Sequence, residues 1–114
     1  MTELARLETH EQDGVLVAVL SGEVDLSNAA ALEDRIAAAA GEGVPLVVDL
    51  TAVTFLDSAG VRLLDHLVAA RQPGTAIRTV APPGSRVAFT LRLCGFRDEL
   101  VAPDLASGVT DLSG

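Results

Sequence analysis

The sequence predicts an α/β domain in which a mixed β-sheet of four to five strands is covered by three to four helices. Three observations carry that prediction. An Asp-Gly pair joins two short segments that read as antiparallel strands, a Val/Leu-rich run at 44–50 lacks polar alternation, and the stretches after the strands space their apolar residues at helical intervals. With 114 residues, the chain is expected to form a single domain, 1–114, that buries about two-thirds of its unfolded surface.

Taken in order, residues 4–10 and 15–20 flank Glu11-Gln12-Asp13-Gly14, whose last two residues favour a tight hairpin. After Ser21-Gly22-Glu23-Val24-Asp25, a helix is expected from Ser27 or Asn28 to Ala40, with Ala29, Leu32, Ile36 and Ala40 at helical spacing and Gly41 as its stop. Val44 to Leu50 reads as a central strand covered on both faces. A second helix is expected from Ala59 to Ala70, where Val61, Leu64, Leu67 and Val68 form one face and Pro73-Gly74 ends the run. Ala76 to Val80 reads as a short strand. Pro82-Pro83-Gly84-Ser85 opens a third helix carrying Val87, Leu91 and Cys94, with Cys94 expected as a small core residue and Gly95 as the stop. Glu99-Leu100-Val101 suggests a last strand, and Asp104 to Leu112 a final helix.

Composition narrows the function. Hydrophobic residues make up 49% of the chain and aromatics 3%, so the core is built from packed aliphatic side chains. Sixteen acidic residues against eight basic ones give a formal charge of -8, which argues against nucleic acid, whose affinity comes from basic groups on phosphates. All eight basic residues are Arg, so lysine chemistry is excluded. One Cys allows no internal disulfide, no segment reads as a secretory signal, and every apolar run falls short of the roughly 18 residues of a membrane span. A cytoplasmic protein without a membrane span is therefore expected.

The informative stretch is Phe55-Leu56-Asp57-Ser58-Ala59-Gly60, placed between a buried strand and a helix. Asp57 or Ser58 is expected as the N-cap, accepting hydrogen bonds from free backbone N–H groups. Capping alone does not require an acid, a hydroxyl and a glycine together. A phosphate on an exposed Ser58 would carry about -1.5 to -2 charges and face the positive end of the helix dipole, so the fold would tolerate it. A surface that used this turn for docking would not, because an unmatched like-charge contact can cost several kcal/mol. That combination is what an interaction switch requires.

Val48-Asp49-Leu50, followed by Phe55 to Leu64, resembles the phosphorylation turn of the anti-sigma factor antagonists, the stand-alone STAS domains. Gly22-Glu23-Val24-Asp25 is similar to their second signature, and Arg92-Leu93-Cys94-Gly95-Phe96 to their late helix and its glycine stop, so the resemblance spans roughly residues 5 to 112. It implies that the unmodified form binds an anti-sigma factor serine kinase and releases a sigma factor. Ser58 matches the phosphorylated position, and the resemblance implies a separate phosphatase that would restore the unmodified form. Ala59 stands where relatives often have a second Ser. Glu23 and Asp25 match an acidic loop near the turn, although Asp25 or Ser27 also reads as a cap of the first helix. With Asp57, Ser58, Ala59, Gly60 and Arg62 they make up the expected partner-binding set. ATP and magnesium belong to the kinase, and no cofactor is expected here. The same resemblance leaves an alternative role as accessory subunit of a lipid-transport ATPase or of a larger signalling assembly.

Rival chemistries lack their parts. A receiver domain needs an acidic pair after its first strand and a lysine, and there is no lysine. A serine hydrolase needs Gly-x-Ser-x-Gly, but the turn reads Leu56-Asp57-Ser58-Ala59-Gly60. His66 lies eight residues along the same helix and His10 on the first strand, so neither is placed as a base for Ser58. No His/Cys cluster has metal-ligand spacing. A non-enzymatic regulator is expected, as a monomer or as a weak dimer through the edge strand at 4–10.

Overall fold

The computed structural model describes residues 3–71 and 76–113. The chain runs β1 (Ala5–Gln12), β2 (Val15–Val24), α1 (Ala29–Ala39), β3 (Leu46–Leu56), α2 (Ser58–Ala70), β4 (Ile77–Val80), α3 (Arg86–Leu93), a 3-10 turn (Asp98–Leu100), β5 (Val101–Ala102) and α4 (Leu105–Leu112). One five-stranded sheet has the order β1-β2-β3-β4-β5. β1 and β2 are antiparallel, and every later neighbour is parallel. The hairpin turn has φ of 52° at Asp13 and 78° at Gly14, the two left-handed residues whose twist matches that of the flanking strands.

Alternation along the strands sorts the core into two faces. Ala18, Leu20, Leu46, Val48 and Leu50 pack with Leu32 and Ile36 of α1, Leu64 and Leu67 of α2, and Val87 and Leu91 of α3. Val15, Val17, Val47, Val80 and Ala102 point the other way, against Val109 of α4. Residues 46–50 are accordingly buried without interruption, as a strand covered on both faces must be. Arg71, the C-cap of α2, donates to the Val44 carbonyl and fastens the end of that helix to the approach of β3. Pro73-Gly74, the expected stop of α2, lies outside the described residues.

Several elements depart from expectation. β3 runs six residues beyond Leu50, because its pairing with β2 shifts twice. Val19 pairs with Asp49 but Ser21 with Ala52, and Gly22 pairs with Val53 but Glu23 with Phe55, so β3 carries an extra residue at each step. The buried Asp49 carboxylate supports the first bulge by accepting from the Thr51 N–H (3.0 Å) and hydroxyl (2.6 Å). The segment expected to form a strand at Glu99 begins as a 3-10 turn, and only Val101–Ala102 pairs with β4. Cys94 is exposed rather than part of the core, since α3 ends at Leu93 and turns away through Gly95 at φ 77°.

Candidate functional site

β2 and β3 end side by side, which brings the two signature stretches together. Glu23 pairs with Phe55 and Val24 with Leu56, and the Asp57 N–H donates to the Val24 carbonyl at 3.3 Å. Asp57 is the N-cap of α2. Its carboxylate turns back over the helix start and accepts from the N–H groups of Ala59 (2.9 Å) and Gly60 (3.2 Å). The acid does the capping, so Ser58, the first helical residue, is left exposed.

The small residues after it have a packing reason. Ala59 and Gly60 are both buried, and Gly60 lies against the strand ends. A Cβ on Gly60 would lie 2.3 Å from Leu56 Cδ1, 2.9 Å from Leu56 Cγ and 3.3 Å from Val24 Cγ1. Within the expected partner-binding set, Gly60 therefore lets the helix start lie close to the strand ends and Ala59 is buried beside it, while Glu23, Ser58 and Arg62 are exposed and Asp25 and Asp57 are half-buried.

The acidic loop is pinned from within. Asp25 accepts from the Ser27 N–H at 2.9 Å and the Ser27 hydroxyl at 2.5 Å. Asn28 accepts from the Asp25 N–H through Oδ1 and donates through Nδ2 to the Glu23 carbonyl. Neither Asp25 nor Ser27 caps α1 with its side chain. Asn28 occupies the N-cap position, without a side-chain cap bond, because its amide is engaged in holding the loop. Sequence reasoning offered Asn28 only as a possible start of the helix and missed its part in holding the loop. It also missed Leu26, which is 78% exposed at the crest of this loop, and Phe55, exposed beside the turn.

Between α1 and α2 runs a groove of about 180 Å³, with Leu26, Ala30 and Glu33 on one side and Ala59, Arg62 and His66 on the other. His66 Nδ1 lies 2.8 Å from Glu33 Oε1 and bridges the two helices across it. His66 is thereby committed to a helix contact, and His10 is exposed on β1 within 3.3 Å of Gln12. Among the described residues there is no group of three or more His, Cys, Asp or Glu that could hold a metal ion, and no helix is long and apolar enough to cross a membrane.

Fold and site together define a small mixed α/β domain that presents a bare serine hydroxyl at the head of a helix, beside an acidic loop. A family model described as the STAS domain matches residues 6–110, and the chain belongs to that family. A crystal structure of an anti-sigma factor antagonist from Mycobacterium paratuberculosis superposes with a TM-score of 0.86 at 30% identity, covering 96% of this chain and 95% of that one. The anti-sigma-F factor antagonist RsfB of Mycobacterium tuberculosis is 44% identical over 55 residues, which are 47% of this chain and 45% of RsfB, so the match spans less than half the length of that relative. SpoIIAA, an anti-sigma factor antagonist, shares the fold at 17% identity. Its unphosphorylated form gives a TM-score of 0.70 over 93% of this chain and 94% of SpoIIAA, and the Bacillus protein's phosphorylated form one of 0.65 over 93% and 97% at 16% identity.

Proposed function

We propose that this STAS domain is an anti-sigma factor antagonist that acts by partner switching and catalyses no reaction itself. Unmodified, it binds an anti-sigma factor serine kinase, which then releases its sigma factor. Phosphorylation of Ser58 by that kinase ends binding, and a phosphatase acting on the phosphorylated serine restores it. The observation that carries this reading is the division of labour at the α2 start, where Asp57 caps the helix and leaves the Ser58 hydroxyl exposed.

The neighbourhood supports the same reading. A phosphate on Ser58 would meet the positive end of α2, which accommodates an anion, so the fold has no reason to yield. A docked partner would meet that dianion flanked by the acidic residues Asp57 and Glu23. Exposed Leu26 and Phe55 supply apolar contact area, and Arg62 a cation on the same helix. RsfB and the M. paratuberculosis protein, to which this chain is similar, are anti-sigma factor antagonists, which supports the same reading.

Two measurements test it. Ser58→Ala is expected to fold and bind the kinase constitutively, and Ser58→Asp to fold and bind at least about tenfold more weakly, the effect of one unfavourable interfacial charge. Near-equal affinities would refute the switch. Intact-mass analysis after incubation with the cognate kinase and ATP is expected to show a single added phosphate on Ser58, and its appearance on Ser27, Thr51 or Thr54 would move the site.

A further inference from the structure

We propose that the outer face of α3 is a docking surface for an acidic, aliphatic segment of a protein partner. α3 buries Val87 and Leu91, and its opposite side carries Phe89, 61% exposed, and Leu93, 74% exposed. Four residues apart, they stand on the same side of the helix, one turn from each other. Arg86 and Arg92 are exposed on the same outer side and flank the pair. Neither arginine is in an ion pair among the described residues, whereas Arg78 meets Asp111 and Arg97 meets Glu99.

Single exposed apolar residues need no explanation. This arrangement differs in charge and in helix chemistry. Residues 82–97 hold three Arg and no Asp or Glu, in a chain whose formal charge is -8. Arg86 is the first residue of α3, where a cation faces the positive end of the helix dipole and opposes helix formation. A position that breaks a local rule without a compensating contact is where a functional demand is expected. An apolar pair between two unpaired arginines is complementary to an aliphatic stripe with carboxylates on both edges.

Alternative occupants fit less well. A second copy joined α3 to α3 would bring the same arginines face to face, a like-charge contact that disfavours the symmetric pair. An anionic membrane would present an extended negative plane to the whole acidic domain. A narrow segment meets only charges within the Debye length, about 8 Å at physiological ionic strength. Neither Ser58 nor the acidic loop enters this inference, so it stands or falls apart from the proposed switch.

The test is an amide NMR titration of the intact domain with a synthetic helical peptide about four turns long, bearing Leu along one stripe and Glu on both sides of it. The expected result is a saturable shift of α3 amides that weakens with salt. Affinity should fall at least about tenfold in Arg86→Glu/Arg92→Glu and in Phe89→Ser/Leu93→Ser, and should be unchanged in Ser58→Asp. Circular dichroism of each variant establishes that it is folded. Equal binding of the peptide with Gln in place of Glu would overturn the proposal. So would α3-dependent binding to anionic phospholipid vesicles in preference to the peptide, concentration-dependent self-association lost in the Phe89/Leu93 variant, or no shift of α3 amides at millimolar peptide.

Discussion

Gly60 and Asp57 divide the work at the start of α2, and each fails in its own way when replaced. Gly60→Ala places a methyl where Leu56 and Val24 already sit, and Leu56 is itself buried, so the strand end and the helix must separate. The expected loss is about 1–3 kcal/mol, the usual range for overpacking, read from urea unfolding. In a Leu56→Ala background the added cost of Gly60→Ala should shrink, because the atoms the new methyl meets are gone. Asp57→Ala removes the acceptor for two N–H groups and should cost about 1 kcal/mol, while Asp57→Asn, also a good N-cap, should retain most of the stability. Ser58 belongs to the same turn but does no capping, so Ser58→Ala should leave the unfolding midpoint nearly unmoved.

Elements show which signals in the chain were readable. Short-range signals were: Asp13-Gly14 closes the hairpin, Ser85 caps α3 by accepting from the Ala88 N–H at 3.1 Å, and Asp104 caps α4 by accepting from the Ser107 N–H at 2.7 Å. The far half of β3 was hidden because its two bulges break the period-2 pattern, leaving Thr51, Ala52 and Thr54 to read as loop. β2 was read short for a related reason. Its Gly22 adopts φ 87° and lies so close to Leu4 that a Cβ would be 2.2 Å from the Leu4 carbonyl, a tertiary contact no local pattern announces. The cap of α4 also has a pH signature. Hydrogen bonding from Ser107 holds the Asp104 carboxyl below its ordinary value of 3.8, so its stabilisation is fully present above that value and is lost as pH falls through the lower folded-state value. Asp104→Asn should therefore flatten the acid limb of the stability curve below about pH 4, and an unchanged slope would show that the cap is not linked to folding.

At the scale of the whole molecule, the sheet order was beyond the sequence's reach, whereas the juxtaposition that makes the site followed from two motifs. Parallel β2 and β3 end at the same end of the sheet, so Glu23, paired with Phe55, comes to the same end as the Asp57-Ser58 turn although 35 positions separate Glu23 from Ser58 in sequence. What the motifs did not reveal is how rigidly this end is built: Asn28 pins the acidic loop, Asp57 is turned inward, and Gly60 locks the helix to both strand ends. This construction sets the terms of the proposed switch. A frame already held by contacts that do not involve the serine hydroxyl gives a phosphate on Ser58 no rearrangement to drive, so under the proposed switch the modification would act through the charge it adds to the surface. Domain carrying phosphoserine at position 58 is therefore expected to differ from the unmodified domain by less than about 1 kcal/mol in unfolding free energy. Its amide shift changes should be confined to the 23–28 loop and the first turns of α2, with kinase binding lost. Shift changes spreading through β4, α4 or the core around Leu91 would mean that the switch works by refolding the domain, and the charge mechanism would have to be abandoned.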